Sequence, residues 1–265
     1  MDFLLFLQKI MADKSKIYFI SDVHLGARAF DDDREREKKL VRFLSSIQND
    51  VKAIYFLGDI FDFWYEYKNI IPKGFTRLFG KLAELADAGV EMHYFIGNHD
   101  IWTGDYFEKE FGMIMHYDAE EMQINGKTFY LAHGHRTGYR PLAVKIMHFF
   151  FHSKWVRRIY NLIHPSINYY FGLGWSAHNR KYKHKQEEAK YLGEANEFLV
   201  CFAKEYVKTK PIDFFIFGHR HVVLDLMITK SSRVVYLGDW VTNFTYGVLD
   251  GSAFSLEIYE ESENL

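Results

Sequence analysis

The stretch IYFISDVH, residues 17–24, joins a short apolar run to an Asp-x-His pair. An uninterrupted run of β-branched and aromatic residues such as Ile17–Ile20 predicts a strand that is covered on both faces. Asp22 and His24 follow that strand directly, and both side chains can ligate a metal ion. The same pairing of a buried strand with metal-capable residues recurs along the chain, so it is the feature from which we predict the fold.

Further apolar runs predict further strands. They are Ala53–Leu57, Met92–Ile96, Thr128–Leu131, Phe214–Phe217, Val222–Ile228, Val234–Leu237 and Ala253–Ile258. Apolar residues at helical spacing occupy Leu40–Ile47 and Leu78–Leu85, and a longer helical pattern extends from Gln186 to Val207. Strands alternating with helices predict an α/β layered fold. The C-terminal third has strand patterns without helices, so we expect antiparallel strands there.

Metal-capable side chains follow five of the predicted strands, in order. The blocks are Asp22-Val23-His24, Gly58-Asp59, Gly97-Asn98-His99-Asp100, His133-Gly134-His135 and Gly218-His219-Arg220-His221. Ligands of open α/β sheets bind beyond the carboxyl ends of the strands. Folding is therefore expected to gather these blocks in one crevice.

The donor types indicate which metals the crevice would hold. Two carboxylates, one amide oxygen and four imidazoles suit Mn²⁺, Fe²⁺ or Zn²⁺ better than Ca²⁺, which prefers oxygen ligands alone. A carboxylate between two cations can bridge them, and Asp59 is our candidate for the bridge. Asp-x-His and His-x-His have a spacing of two, which on an extended segment directs both side chains to the same face.

Each block alone also has an ordinary structural explanation. A single Asp-x-His is commonly a turn, and Asn98-His99-Asp100 fits an Asx-type turn. The ordered occurrence of all five blocks at strand ends favours a metal site over these separate explanations.

Taken as a set, the blocks resemble the calcineurin-like metallophosphoesterase superfamily over Asp22 to His221, about three quarters of the chain. The resemblance implies an α/β sandwich of two mixed β-sheets flanked by helices, with residues 1–265 forming a single domain. It implies that one divalent metal is held by Asp22, His24, Asp59 and His221, and the second by Asp59, Asn98, His133 and His219. It also implies that the catalytic residue His99 faces the substrate phosphate and that Asp100 holds the His99 ring.

A narrower resemblance rests on FISDVHLG, FLGDIFDFW, GNHDIW, LAHG and YLGDW. These segments are similar to the UDP-2,3-diacylglucosamine pyrophosphatase family of lipid A synthesis. That family implies a Mn²⁺-dependent hydrolase that releases UMP and 2,3-diacylglucosamine 1-phosphate, with a helical lid insertion at about 137–185 for the acyl chains. Two positions depart from the family pattern: His135 stands where an Asp is usual, and His99 stands where many members carry Arg.

The predicted insertion has an unusual composition. Met122–Gln186 contains eleven Lys or Arg and no Asp or Glu, so it carries +11 and the rest of the chain −13. On one predicted helix, Trp155 and Ile159 share an apolar face, whereas Lys154, Arg157 and Arg158 share a basic one. A basic amphipathic helix suits a lipid substrate or an anionic membrane surface, although a single such helix more commonly packs its apolar face on the core. Here the runs 149–151 and 169–171, all Phe or Tyr, add apolar surface on nearly every side, which favours lipid or membrane contact. We therefore assign substrate binding to Trp155, Ile159, Arg157, Arg158 and His135.

Other functions remain open from the sequence. Another phosphodiester or nucleotide could be the substrate, and aromatic residues of the insertion could stack bases in a nuclease. A binding module with a degenerate site is the third alternative, but all seven ligand positions hold metal-capable residues. The net charge of −2 predicts no nucleic-acid partner, and no protein partner can be inferred.

The expected location is the cytoplasm, with peripheral attachment to the cytoplasmic face of the inner membrane. The N-terminal segment lacks the basic region and cleavage site of a signal peptide, and no apolar run approaches the ~20 residues of a membrane span. The single cysteine, Cys201, fits a reducing compartment.

Overall fold

The computed structural model describes residues 14–27, 32–138, 142, 149–150, 153–183 and 190–260; at 154 and 177–183 it describes the backbone alone. The strands are β1 Lys16–Ile20, β2 Val51–Phe56, β3 Glu91–Phe95, β4 Ile114–His116, β5 Glu120–Ile124, β6 Lys127–Ala132, β7 Phe214–Phe217, β8 Val223–Met227, β9 Arg233–Leu237, β10 Thr245–Asp250 and β11 Ala253–Ile258. The helices are α1 Asp33–Ile47, α2 Thr76–Asp87, α3 Tyr106–Phe111, α4 Lys154–Tyr160, α5 Pro165–Lys183 and α6 Phe198–Tyr206.

The strands form two mixed sheets. The first has the order β11-β10-β1-β2-β3-β4, and the second has the order β5-β6-β7-β9-β8. In the first sheet β1 to β4 are parallel, while β10 is antiparallel to both β1 and β11. In the second sheet β7 lies parallel to β6 and β9, while β5 and β8 run antiparallel at the two edges. The predicted α/β sandwich of two mixed sheets is confirmed.

Alternation of side chains along each buried strand fills the cores on both faces of the sheets. In β1, Tyr18 and Ile20 pack towards α1 and α2, whereas Ile17 and Phe19 pack against the second sheet. A third core lies between the outer face of the second sheet and α6. Fully burying a side chain such as Phe19 contributes roughly 1.5–3 kcal/mol. Because both faces of the central strands are covered, their sequences are continuously apolar, and this is why they were recognisable.

The predicted helix from Gln186 to Val207 is wrong in its described first half. Residues 190–197 are not helical, with a turn at 194–196, and the helix begins at Phe198. Gly193 has a φ of 87°, a left-handed conformation that interrupts a right-handed helix. Residues 184–189 lie outside the described part of the chain.

Three strands and one helix were not predicted. β4 has three residues, β5 is a polar edge strand, and β10 contains Gly247, whose position is closely approached by the Phe254 ring. The helix is α3, which has six residues. Short or polar segments of this kind lack the apolar periodicity on which the sequence argument depends.

Helices α4 and α5 lie in the chain between β6 and α6, within the span proposed for the lid insertion. Parts of that span, 139–141, 143–148, 151–152 and 184–189, lie outside the described residues. Among the helices described, none has the length and apolar character needed to cross a bilayer.

Candidate metal centre

The residues after the strands adopt an unusual backbone conformation. Asp22, His24, Asp59, His219 and His221 all have left-handed φ angles, between 51° and 66°. The expectation of extended segments is therefore wrong for Asp-x-His and His-x-His. A left-handed residue reverses the chain tightly, so a short loop can direct several side chains into one crevice. Such non-glycine conformations cost of order 1–3 kcal/mol each and cluster at functional sites.

Asp22, His24 and His221 form one half of the cluster. Nε2 of His24 lies 3.1 Å from Nε2 of His221, and these nitrogens lie 3.6 and 3.2 Å from Oδ1 of Asp22. Oδ1 of Asp22 is buried and accepts no hydrogen bond of standard geometry from the residues the structure describes. Three donor atoms thus converge on a common point, which is the arrangement that a cation requires.

Asp59, His133 and Asn98 form the other half. Nε2 of His133 lies 3.4 Å from Oδ2 of Asp59 and 3.2 Å from Oδ1 of Asn98. Nδ1 of His133 donates to the carbonyl of Leu57 at 2.7 Å, so a neutral ring would direct its Nε2 lone pair at two oxygen acceptors. A proton or a metal ion must therefore lie between these atoms, and the residues fit a divalent cation.

Shared residues join the two halves. Ligand atoms of Asp22, Asp59 and His133 lie within 4.8 Å of one another, as do those of Asp22, His24 and His221. His24, Asp59 and His99 form a third such group. Among the described residues His219 joins none of these groups, although its ring centroid lies 5.2 Å from that of His133. Its backbone N–H donates to Oδ2 of Asp22 at 2.8 Å.

Charges inside the cluster are strongly coupled. Burial raises the pKa of Asp59, but His133, His99 and His24 lower it, and the pKa lies well below its usual range. Asp22 behaves in the same way, with His221 as its main partner, so its pKa is also well below normal. Burial alone would lower the pKa of His133, yet Asp59 raises it to about 9. Burial likewise opposes protonation of His221, but Asp22 raises its pKa to about 10.

His219 differs from the other imidazoles. Burial lowers its pKa to about 3, and His133 adds to this effect. His219 is therefore neutral at physiological pH and has a lone pair available without first losing a proton.

Carboxylates behind the cluster orient two of the imidazoles. Oδ2 of Asp239 lies 3.6 Å from Nδ1 of His221, and Oδ1 of Asp62 lies 3.5 Å from Nδ1 of His24. A carboxylate behind a ligating histidine fixes the ring and makes it more basic. Asp239 belongs to the YLGDW segment, but no role was predicted for it from the sequence. A signal was present, since Gly238-Asp239 follows β9 as Gly58-Asp59 follows β2.

The structure corrects the role expected for Asp100. Its carboxylate accepts hydrogen bonds from the N–H groups of Gly97 and Ile60 and from the hydroxyl of Tyr94, at 2.7, 3.0 and 2.5 Å. Burial, with Asp59 nearby, raises the pKa of Asp100 to about 6. Asp100 therefore holds the loop, because its short side chain turns back to the backbone.

The ring of His99 is oriented by Asp62 and not by Asp100. Nδ1 of His99 donates to the Asp62 carbonyl at 2.9 Å, and Nε2 lies 4.0 Å from Oδ2 of Asp59. Ser176 of α5 donates to Oδ2 of Asp62 at 2.7 Å and lies 3.4 Å from Nδ1 of His99. The helix thus reaches the edge of the cluster.

The remaining predicted site residues lie in two places. His135 is buried beside the cluster, with its ring centroid 5.2 Å from that of His133. Trp155 and Ile159 of α4 are 71% and 62% exposed, and Arg158 lies over the Trp155 ring at 5.1 Å. The carbonyl of Arg157 accepts a hydrogen bond from Tyr65 at 3.2 Å. Trp155 and Ile159 therefore face solvent, whereas His135 is buried.

Comparisons with known proteins agree with this geometry. The family model described as calcineurin-like phosphoesterase matches residues 15–223. A UDP-2,3-diacylglucosamine hydrolase of Porphyromonas gingivalis is 40% identical over 262 residues, covering 94% of this chain and 100% of that protein. One from Haemophilus influenzae (strain ATCC 51907 / DSM 11121 / KW20 / Rd) is 26% identical, covering 86% of this chain and 91% of the relative.

Among solved structures, the phosphoesterase Yfce from E. coli aligns with a TM-score of 0.45 and 14% identity, covering 92% of each chain. The extent of the family match and of the 40% identical relative leads to one conclusion. The chain belongs to the calcineurin-like phosphoesterase family and is a metal-dependent hydrolase.

Proposed function

We propose that this protein cleaves the pyrophosphate of UDP-2,3-diacylglucosamine, giving UMP and 2,3-diacylglucosamine 1-phosphate in lipid A biosynthesis. The observation that carries the proposal is the contact between Ser176 and Asp62, at 2.7 Å. It joins the phosphate-cleaving cluster to α5, a helix that also presents exposed aromatic side chains. A substrate that is both a phosphate anhydride and a lipid fits this arrangement. The 40% identity to a relative of that name supports the same substrate.

Helix α5 has two distinct faces. Asn168, Leu173 and Ser176 are buried, while Tyr170, Phe171 and Trp175 are 63–64% exposed. Nδ2 of Asn168 donates to Tyr67 and to the carbonyl of Tyr160, at 2.5 and 2.8 Å, which anchors the inner face. Large exposed apolar groups on an anchored helix are typical of lipid or membrane contact. This supports a lid role for the span 137–185.

The cluster would hold two divalent cations, and the mixed oxygen and nitrogen donors support Mn²⁺, with Fe²⁺ or Zn²⁺ as the alternatives. We assign Asp22, His24, Asp59 and His221 to one ion, and Asp59, Asn98, His133 and His219 to the other. Bound divalent ions supply Lewis acidity at the phosphoryl oxygens and promote ionisation of water. The protein contributes fixed donor positions, since Asp239 and Asp62 restrain two of the rings.

His99 would bind a non-bridging oxygen of the reacting phosphate. With Nδ1 committed to the Asp62 carbonyl, Nε2 is the nitrogen that faces the cluster. A protonated His99 can donate from Nε2 to an oxygen on which negative charge grows during attack. The leaving group of a pyrophosphate is itself a phosphate, so a strong general acid is not required.

The exposed faces of α4 and α5 also support peripheral attachment to an anionic membrane surface, on the cytoplasmic face of the inner membrane. Trp155 and Ile159 of α4 are 71% and 62% exposed, Leu162 just after the helix is 87% exposed, and Arg158 lies over the Trp155 ring. Aromatic and aliphatic side chains bury in the interface of a bilayer while Arg meets lipid phosphates.

Substrate discrimination tests the proposal. Burying acyl chains is worth roughly 0.8 kcal/mol per CH₂, so four such groups already correspond to about 100-fold or more. We expect kcat/KM for diacylated UDP-glucosamine to exceed that for UDP-glucosamine by at least this factor. Equal values would refute the lipid substrate and leave a phosphoesterase for another phosphodiester or nucleotide.

Matched variants locate the preference. Trp155→Ser with Ile159→Ser should reduce hydrolysis of the acylated substrate but leave hydrolysis of a chromogenic phosphodiester unchanged. Ile258→Ser on β11 is the control, because Ile258 and Ile159 are both 62% exposed. Loss of the preference in Ile258→Ser as well would contradict a role specific to α4.

A further inference from the structure

Arg220 stands between His219 and His221 in the chain, but its side chain pairs with a residue at the start of α6. Its Nε and one terminal nitrogen lie 3.0 Å from Oε2 and Oε1 of Glu197, a bidentate ion pair at the start of α6. The Glu197 side chain is fully buried, and the Arg220 side chain is 11% exposed. Two parallel charge-assisted hydrogen bonds fix orientation as well as distance. The ion pair therefore attaches the Gly218–His221 loop to the start of α6.

Further contacts hold the Glu197 end of the pair. Oε1 of Glu197 accepts from the backbone N–H of Leu192 at 3.1 Å, and Oε2 accepts from Tyr236 at 3.4 Å. The Arg220 guanidinium also donates to the carbonyl of Lys190 at 3.3 Å. Segment 190–197 leads into α6 from the lid span. One ion pair thus connects this segment to the loop that carries two proposed metal ligands.

The same helix end supports the fourth metal-capable block. A Cβ at Gly134 would lie 3.1 Å from Cδ1 of Leu199, in the first turn of α6, and 3.6 Å from Cβ of His219. His133 and His219, on either side of this contact, have ring centroids 5.2 Å apart. The start of α6 therefore supports both loops that supply imidazoles from the second sheet.

The loop needs external support because its backbone is strained. His219 and His221 have φ angles of 66° and 53°, which side-chain-bearing residues adopt only when the surroundings impose them. Within the loop, the N–H of Arg220 donates to the carbonyl of Gly218 at 2.8 Å, which tightens the turn.

We propose that Arg220 and Glu197 are positioning residues that hold the His219–His221 loop in its metal-binding conformation. This inference rests on the proposed metal centre and adds to it two residues that touch neither metal nor substrate. It predicts that substitutions of Arg220 or Glu197 weaken metal binding, and do not only lower the stability of the fold.

The test is Mn²⁺ binding, followed by the electron paramagnetic resonance signal of free Mn²⁺, with thermal unfolding of the metal-free protein in parallel. Arg220→Lys keeps the charge but loses the planar fork, and Glu197→Gln keeps the shape but loses the charge. We expect each to raise the Mn²⁺ dissociation constant roughly 10- to 100-fold, the size usual for residues that support metal ligands. The double variant Arg220→Gln with Glu197→Gln leaves no unpaired buried charge. It should therefore fold and still bind Mn²⁺ more weakly than the wild type.

Arg233→Lys is the matched control. Arg233 lies on β9 of the same sheet and pairs through its Nε and one terminal nitrogen with Asp225, away from the cluster. It should lower thermal stability without changing the Mn²⁺ affinity.

Unchanged affinity in Arg220→Lys and in the double variant would overturn the positioning role. An equal loss of affinity in Arg233→Lys would overturn it too. Wild-type protein without Mn²⁺ affinity would overturn both the proposed centre and this inference, so the two failures are distinguishable.

Discussion

Asp59 shows at the scale of one residue how the centre is built. Oδ2 of Asp59 lies 3.4 Å from His133 and 3.8 Å from His24, which belong to different halves of the cluster. Oδ1 meanwhile accepts a backbone N–H from His99 at 2.9 Å. Oδ2 therefore faces the proposed metal sites, whereas Oδ1 holds the loop that carries His99.

Removing this carboxylate should therefore affect both metals. We expect Asp59→Ala to lower metal content and to reduce turnover at least about 100-fold, since even residues behind the ligands contribute 10- to 100-fold. Metal analysis of the purified variant and assay with a chromogenic phosphodiester measure the two effects. His99→Ala is the comparison: it should retain the metals and lose roughly 10²–10³ in kcat, the usual cost of one transition-state donor. An Asp59→Ala protein with full activity would contradict a shared ligand.

Protonation of two imidazoles sets the pH dependence of metal binding. The pKa of His133 is raised to about 9 and that of His221 to about 10, so both rings are protonated in the metal-free protein at pH 7.5. Metal ligation requires neutral rings, so about two protons should leave when both sites fill. Apparent affinity should rise with pH and stop rising above about pH 10.

Calorimetric titration at pH 7.5 in buffers of different ionisation enthalpy measures this release. His219, with a pKa lowered to about 3, should add no proton. A binding enthalpy that is the same in all buffers would show that His133 and His221 are already neutral.

At the scale of elements, α5 approaches the core closely at one glycine. A Cβ at Gly172 would lie 2.4 Å from the Phe63 ring, which is buried in a cluster with Trp102 and Leu173. Gly174, two residues further along the same helix, has open space around its Cβ position. Substituting Gly172 and Gly174 in turn therefore separates the effect of close packing against Phe63 from the effect of helix propensity.

Gly172→Ala should displace α5 and weaken the Ser176 contact to Asp62. We expect a loss of about 1–3 kcal/mol in unfolding free energy from overpacking, and slower turnover of the acylated substrate. Gly174→Ala should be neutral or stabilise by up to about 1 kcal/mol, because alanine is the better helix former. Chemical denaturation and steady-state kinetics compare the two. Equal behaviour of both variants would show that α5 can shift freely on Phe63.

At the scale of the whole molecule, charge and apolar surface are concentrated in one region. Met122–Gln186 carries +11 while the remainder carries −13, and α4 and α5 within it present exposed Trp and Ile side chains. Attraction to anionic lipid and burial of apolar side chains would then act on the same surface.

The protein should therefore sediment with vesicles that contain phosphatidylglycerol, and less so at high salt, where exposed charges are screened. Replacing Ile159 by Ser should weaken this association roughly tenfold or more, since burying one such side chain is worth about 1.5–3 kcal/mol. Ile258→Ser should bind as the wild type does. Equal association with neutral vesicles at all salt concentrations would contradict an electrostatic contribution.

The sequence by itself determined the layered fold and the identity of the candidate ligands. The central strands are covered on both faces, so continuous apolar runs marked them, and β7 agrees with the predicted bounds. The edge strand β11 also agrees with its predicted bounds. The metal-capable residues were recognisable because each block follows a strand whose carboxyl end is fixed by the sheet. Short and polar elements such as β4 and β5 left no comparable pattern.

Only the tertiary structure decided which groups support those ligands. Asp62 and Asp100 were both expected to orient site residues, but His99 bonds to the carbonyl of Asp62 while Asp100 accepts an N–H from its own loop. Asp239 lies behind His221, and Glu197, at the start of α6, pairs with Arg220. The partners of His99, His221 and Arg220 lie 18 to 37 positions away in the chain, on different loops. Local periodicity reports which face of an element is buried, whereas a contact between two loop side chains depends on how distant strands are placed side by side.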